Sequence, residues 1–249
     1  MKTAIIIGAT SGIGREVAIR LVKEGWKVGI TGRRTQALED FRSQYGADRV
    51  LIATMDVTRE DSVQALDVLL DQTGAPNLFF YASGVGYQNR ELNLEKEIRT
   101  VRTNCEGMVR MVDHFIDYIR SHKYAYDDKA HIAVITSVAG VAPLGTAPAY
   151  SATKRMQSTY LSALAQLSRM EHIPVRFTDI RPGFVATDIL NPNKHYPMLM
   201  SKEKATEHIM RALRRKKRVY TFDWRFRVAT FFWRLIPRGI WEHITWIKN

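Results

Sequence analysis

The sequence predicts a single-domain α/β fold: a doubly wound parallel sheet with helices on both faces. Short apolar runs rich in β-branched residues alternate with longer segments of helical periodicity, the pattern of strands buried on both sides. A glycine cluster, Gly8 to Gly14, directly follows the first run. The 249 residues show no internal repeat, low-complexity stretch or obvious linker, and one core can serve that length.

Thr3–Ile7 reads as the first strand, continuously apolar after Thr3. A helix follows over 13–24, with Val17, Ala18 and Leu21 on one face and Gly25 as its stop. Strands are expected at 27–31, Val50–Thr54 and Leu78–Tyr81, separated by helices at Thr35–Tyr45 and 62–70. One long amphipathic helix is expected over 97–119, a fifth strand over 132–137, a long helix over 149–170 and a sixth strand over 175–180. Composition shifts near residue 219. Four of the five tryptophans, Trp224, Trp233, Trp241 and Trp246, lie beyond it. Val228, Phe231, Phe232, Leu235 and Ile236 recur there at helical spacing, with Arg227 and Arg234 off that face. Pro237-Arg238-Gly239 breaks the pattern, and a second amphipathic piece covers 240–247. The expected division is a main sheet-forming domain over 1–218 and an aromatic, basic segment over 219–249.

An apolar share of 45% with 25% charged residues suits a globular protein. The single cysteine, Cys105, excludes an internal disulfide framework and a multi-cysteine metal site, and no metal is expected. The apolar run at 4–7 is too short for a secretory signal core, and no stretch reaches the roughly 18 apolar residues of a membrane span. A cytoplasmic location is expected. The net charge of +12 admits nucleic acid, an anionic membrane surface or a phosphorylated cofactor. The compact run Arg214-Arg215-Lys216-Lys217-Arg218 reads as a solvated helix end. With no zinc-ligand spacing and no aromatic RNA-binding signature, no nucleic-acid partner is expected.

The turn Gly8-Ala9-Thr10-Ser11-Gly12-Ile13-Gly14 lets the backbone bend sharply and approach a pyrophosphate, which the following helix N-terminus then attracts. Its position inside a βαβ unit makes the expected sheet Rossmann-like. An NAD-preferring site places a carboxylate at the end of the second strand. Here stand Thr31-Gly32-Arg33-Arg34, two guanidiniums able to grip a 2′-phosphate, so NADP(H) is the expected cofactor.

Tyr150 and Lys154 sit four residues apart, on one face of the 149–170 helix. A phenol is a poor base at neutral pH, and a nearby ammonium favours its ionised form. The pair is not specific alone; its weight comes from company. Ser137 precedes it at the end of the fifth strand, where doubly wound sheets place ligands and where a hydroxyl can hold a substrate oxygen. Neighbouring Thr136 should point the other way.

In order and spacing, Gly8 to Gly14, Ser137, Tyr150 with Lys154, and Pro182-Gly183-Phe184-Val185-Ala186-Thr187 resemble the classical short-chain dehydrogenase/reductases over about residues 3–190. The resemblance implies that Tyr150 transfers the proton, that Lys154 lowers its pKa and holds the nicotinamide ribose, and that Ser137 orients the substrate. It implies a fourth catalytic member in Asn104, supporting a water-linked relay to the lysine. It makes Asp56 and Val57 an adenine-contacting pair, and Pro182, Gly183, Val185 and Thr187 the segment along the nicotinamide. Ser11, Ile13, Ala82 and Gly84 join the implied cofactor contacts. The family's Asn-Asn-Ala-Gly is here Tyr81-Ala82-Ser83-Gly84, which keeps room for a cofactor without the asparagine side chain.

The expected function is therefore NADP(H)-dependent reduction of a ketone or aldehyde to an alcohol. The alternative is a non-catalytic NADP(H)-binding sensor or scaffold, although binding alone does not need the phenol. Met198, Leu199 and Met200, in a lid-like stretch over 188–200, suggest an apolar pocket wall and a lipid-like substrate. His195 reads as a solvated loop residue. A homo-oligomer, dimer or tetramer, is expected. The 219–249 segment admits three readings: packing on the domain or a partner subunit, peripheral contact with a membrane, or a cap on the cleft.

Overall fold

The computed structural model describes residues 1–126, 128–190, 193 and 195–245. Its strands are β1 (Thr3–Ile7), β2 (Lys27–Gly32), β3 (Val50–Thr54), β4 (Leu78–Tyr81), β5 (Ala130–Ile135), β6 (Val175–Arg181) and β7 (Val219–Thr221). They form one parallel sheet in the order β3-β2-β1-β4-β5-β6-β7. The helices are α1 (Gly12–Lys23), α2 (Thr35–Tyr45), α3 (Ser62–Thr73), α4 (Leu94–Val101), α5 (Gly107–Ser121), α6 (Pro148–Met170), α7 (Lys202–Arg214), α8 (Trp224–Trp233) and α9 (Arg238–Glu242).

Side-chain alternation along the strands feeds two cores. Ala4, Ile6, Ile30 and Phe80 meet Val17, Leu21, Phe41 and Ile209 from α1, α2 and α7. On the opposite face Ile5, Ile7, Phe79 and Tyr81 meet Leu66, Met111, Phe115 and Leu161 from α3, α5 and α6. Burial on both faces is why the strands read as unbroken apolar runs. The chain moves outward from β1 through β2 to β3, then returns to place β4 on the other side of β1. That reversal opens a crevice beyond the carboxyl ends of β1 and β4.

Several elements differ from the sequence expectation. The expected helix over 97–119 is three pieces: α4, a π-helical turn at Arg102–Glu106, and α5. The π turn inserts an extra residue per turn and re-aims Asn104, as such bulges do near functional sites. Strand β5 ends at Ile135, so Ser137 lies beyond it in extended backbone and caps the short turn Val138–Gly140 by accepting from the Ala139 N–H at 3.0 Å. Neither α7 nor β7 was expected. The basic run begins at the end of α7 and turns at Lys216, whose φ is +50°; Arg218 donates to the Leu161 carbonyl at 2.9 Å. The sheet therefore continues past residue 218. In the segment after it, Trp246 and Ile247 lie outside the described residues, as do 191, 192 and 194 of the lid-like stretch.

Candidate active site

Where β1 passes into α1, the Gly8 and Ala9 amides donate to the Thr31 carbonyl at 3.2 and 2.7 Å, tying the turn to β2. Gly8 has φ +89°, and a Cβ at Gly14 would lie 2.1 Å from the Gly8 carbonyl oxygen. Only glycine at both positions permits this close start. Ser11 flanks α1 in extended backbone and makes no side-chain cap, leaving the first amides of the helix to an anion in the crevice. The crevice is a cleft of about 470 Å³. The glycine turn with Ser11 and Ile13, Arg33-Arg34, Asp56-Val57, Ala82 and Gly84, Tyr150 and Lys154, and Pro182, Gly183, Val185 and Thr187 all line it.

At the end of β2, Arg34 donates to the Thr10 hydroxyl at 3.1 Å. The Arg33 guanidinium is 58% exposed and stands 3.9 Å from the Asp56 carboxylate, which also accepts from the Thr58 N–H and hydroxyl at 3.0 and 2.8 Å. The Thr31 hydroxyl in the same cleft is buried without a hydrogen-bond partner in the protein. A cradle closed to any Cβ, uncapped helix amides and an orphaned hydroxyl together fit a nicotinamide dinucleotide.

Helix α6 begins with Pro148, whose fixed φ suits the first helical position. Glu97 of α4 holds that start: one carboxylate oxygen accepts from the Ala149 N–H at 3.0 Å, the other from the Asn89 side chain at 2.7 Å. Tyr150 therefore leaves an anchored first turn. Gly86 packs against its ring so closely that a Cβ would stand 2.6 Å away. Burial pushes the phenol above its ordinary range, and a hydrogen bond with Ser137 pulls against that shift.

The Lys154 ammonium is buried and donates to the Ile135 carbonyl and to Gln157 Oε1, both at 3.0 Å. Burial lowers its pKa to about 8. It stands 5.7 Å from the centre of the Tyr150 ring. The lowering of the phenol pKa expected from this cation is not seen here: desolvation raises one group and depresses the other, and what pulls the phenol back is Ser137.

Asn104 is fully buried. Its side chain accepts from the Val85 N–H at 2.9 Å and donates to the Val85 carbonyl at 2.8 Å and the Thr153 hydroxyl at 3.0 Å, joining the loop after β4 to α6. Its main-chain carbonyl accepts from Gln157 Nε2 at 2.7 Å. The Gln157 side chain thus joins Lys154 to the Asn104 main-chain carbonyl directly. Sequence reasoning passed over Gln157, Glu97 and Gly86. The signal for Gln157 was available, since it lies three residues after Lys154 on the same helix face. The Thr136 hydroxyl donates to Asp179 at 2.5 Å.

Ser137 and Tyr150 also line a second pocket of about 120 Å³, walled mainly by Leu144, Ile189, Leu190, Tyr196, Phe226 and Trp233. Met198, Leu199 and Met200 are not in this wall. Leu199 is exposed, and Met200 pairs with Val185 and packs against the core. The apolar wall comes instead from the lid-like stretch ahead of them and from α8. His195 is exposed.

Residues 2–196 match the family model of the short chain dehydrogenases. The chain belongs to this family. As a short-chain dehydrogenase it is an oxidoreductase. It is 28% identical over 250 residues to an uncharacterized oxidoreductase of Myxococcus xanthus, covering 97% of this chain and 95% of that one. It is also 31% identical over 196 residues to a glycine betaine reductase of Emericella nidulans, a match covering 76% of this chain but 15% of that much longer protein. Among solved structures, the 3-ketoacyl-(acyl-carrier-protein) reductase of Brucella melitensis complexed with NADH shares 25% identity at a TM-score of 0.75, covering 89% of this chain and 96% of that one. The fold also matches an actinorhodin polyketide ketoreductase with NADPH at a TM-score of 0.72 and 22% identity, covering 84% of this chain and 89% of that one.

The Glu97 contact predicts that Glu97→Ala destabilises this short-chain dehydrogenase by about 1 kcal/mol, through loss of the carboxylate at the start of α6. The urea midpoint measures it; an unchanged midpoint would show that α6 starts without this anchor.

Proposed function

We propose that this chain reduces an apolar ketone or aldehyde to its alcohol with NADPH, and that Tyr150 is the acid. The observation that carries the reading is the position of Tyr150, which lines both the dinucleotide-shaped cleft and the apolar pocket. A carbonyl in that pocket accepts a hydrogen bond from the Ser137 hydroxyl and presents its oxygen to the phenol. NADPH, held by the glycine turn, Arg33 and Lys154, would supply the hydride for the carbonyl carbon. The Tyr150 O–H bond breaks, its proton goes to the carbonyl oxygen, and the electron pair stays on the phenolate.

The raised pKa of Tyr150 suits this direction, since the hydroxyl keeps its proton at neutral pH until the oxygen beside it becomes basic. Lys154 then steadies the phenolate and offers a donor to the ribose. Gln157 keeps the ammonium in place from the far side, with Asn104 holding Gln157. Because solved relatives carry NADH as well as NADPH, the choice of NADP(H) rests on the end of β2. The long, exposed contact between Arg33 and Asp56 is weak and leaves the guanidinium available to a 2′-phosphate. The exposed stripe Leu94, Ile98 and Val101 on α4 supports a homo-oligomeric contact, dimer or tetramer, on that face.

Tyr150→Phe is expected to lower turnover at least about a thousandfold, with NADPH binding, read by nicotinamide fluorescence, nearly unchanged. Turnover equal to wild type would remove Tyr150 as the acid. Arg33→Ala is expected to raise the KM for NADPH about tenfold or more and to leave that for NADH within about twofold; equal losses would place the phosphate elsewhere. The pH profile gives a third test. A buried lysine with a pKa of about 8 loses its charge as pH rises through that value, so kcat/KM for reduction should fall above about pH 8. Gln157→Leu removes a hydrogen bond to the charged form, which lowers the pKa further and moves the limb to lower pH. A limb that stays in place in this variant would uncouple Gln157 from the reaction.

A further inference from the structure

Helix α8 carries two apolar stripes. Phe226 and Thr230 are buried and Trp233 is half-buried, and these three residues, one helical face, look inward. Phe226 and Trp233 wall the pocket beside Tyr150, with Phe226 set edge-on to Phe184 at 6.1 Å between ring centres. The outer stripe is Trp224, Val228, Phe231 and Phe232, continued by Leu235 just past the helix, and every one of these side chains is exposed. Trp224 is 67% exposed, Phe231 61% and Leu235 64%, and Ile240 of α9 adds a sixth large apolar side chain.

This surface is anchored. Trp241 of α9 is buried, donates from its indole N–H to the Pro143 carbonyl at 2.8 Å and meets Trp233 edge-on at 5.6 Å. Around the stripe stand Arg225, Arg227, Arg234 and Arg238. Asp223 and Glu242 neutralise Arg225 and Arg238, whereas Arg227 and Arg234 have no carboxylate in contact among the described residues. Beside Trp224, a groove shared by α7 and α8 adds Lys204 and Arg211, likewise without a carboxylate contact among the described residues.

We propose that the outer face of α8, together with α9, docks this protein on an anionic phospholipid bilayer. Exposed aromatics flanked by arginines match the headgroup boundary, where apolar rings enter the acyl region and guanidiniums meet phosphates. Charge decides against a second copy of the chain as the occupant. A two-fold contact lays the patch on itself and brings like-charged arginines together, on a chain that already carries +12. An anionic surface turns the same charges into attraction. The contact lies on the membrane, since no helix among the described residues is long and apolar enough to cross one. Docking does not depend on the carbonyl-reductase reading. Its consequence does: an apolar carbonyl compound dissolved in the bilayer would have one helix, about 10 Å across, between it and the pocket.

The test is sedimentation of the full chain with phosphatidylcholine vesicles, with and without phosphatidylserine. Wild-type protein should pellet with the anionic vesicles and remain in solution with the neutral ones. The triple variant F231S/F232S/L235S and the double variant R227E/R234E should each lose about tenfold or more of that partitioning. NADPH binding and turnover of a water-soluble ketone, measured without vesicles, should stay at wild-type levels in both, so a failure of docking is distinguishable from a failure of the catalytic reading. Wild-type protein that stays in solution with anionic vesicles, or a triple variant that pellets like wild type, overturns the proposal. So does a wild-type oligomer that the triple variant reduces to monomer by light scattering, since the stripe would then be a contact between copies.

Discussion

The structure is organised around one buried cation. Taking a lysine ammonium out of water costs several kcal/mol unless its N–H bonds find acceptors, and Lys154 finds them in the Ile135 carbonyl and the Gln157 amide. Each acceptor imposes geometry. The carbonyl belongs to the last residue of β5, so α6 must cross the carboxyl end of the sheet at that strand. Gln157 is held in turn by the Asn104 carbonyl, and that carbonyl is delivered by a π turn in an otherwise α-helical segment. The interruption between α4 and α5 is thus a condition for satisfying a charge on a different helix.

The same desolvation sets the proton inventory of the proposed site. Burial penalises whichever form is charged, so it moves the phenol up and the ammonium down. Near neutral pH both groups hold their protons, the state needed to deliver one to a carbonyl oxygen. An amide bridge is also chemically distinct from a water bridge. Water can pass a proton along by exchanging its own, whereas Gln157 can only accept from Lys154 and donate to Asn104. On the proposed reading, Gln157 holds the ammonium in place and passes no proton itself.

Much of this was legible in the residues, and what was not has physical causes. Strands buried on both faces declare themselves as apolar runs, so β1 to β6 were readable, and the glycine turn followed from its place after β1. The π turn was invisible because Arg102–Glu106 carries no glycine or proline to mark a break, and the backbone is right-handed helical at both of its ends. Strand β7 has three residues, none of them buried, so it carries no apolar signal; it exists because β6 offers an open edge. Helix α7 was obscured by its charge, although Ala205, Ile209 and Leu213 form the stripe that packs on the sheet. Tyr150 and Lys154 were found by their spacing in company with Ser137 and the glycine turn. Gln157 needed the knowledge that its neighbour would be buried and short of acceptors.

The C-terminal segment shows where periodicity stops being informative. The sequence singles out Val228, Phe231, Phe232 and Leu235 as an apolar face, and the usual inference is that such a face packs inward. In the structure it is the other stripe, Phe226, Thr230 and Trp233, that faces the domain. A helix apolar on both sides has no preferred orientation in its pattern. What orients α8 is three-dimensional: the aromatic cluster around Phe184 on one side, and the Trp241 indole pinned to Pro143 at the end of the segment. This arrangement makes the segment part of the proposed substrate pocket whatever its outer face meets. Deleting it would strip Phe226 and Trp233 from the pocket together with the exposed stripe. The two roles therefore share a backbone and separate only at the level of individual side chains.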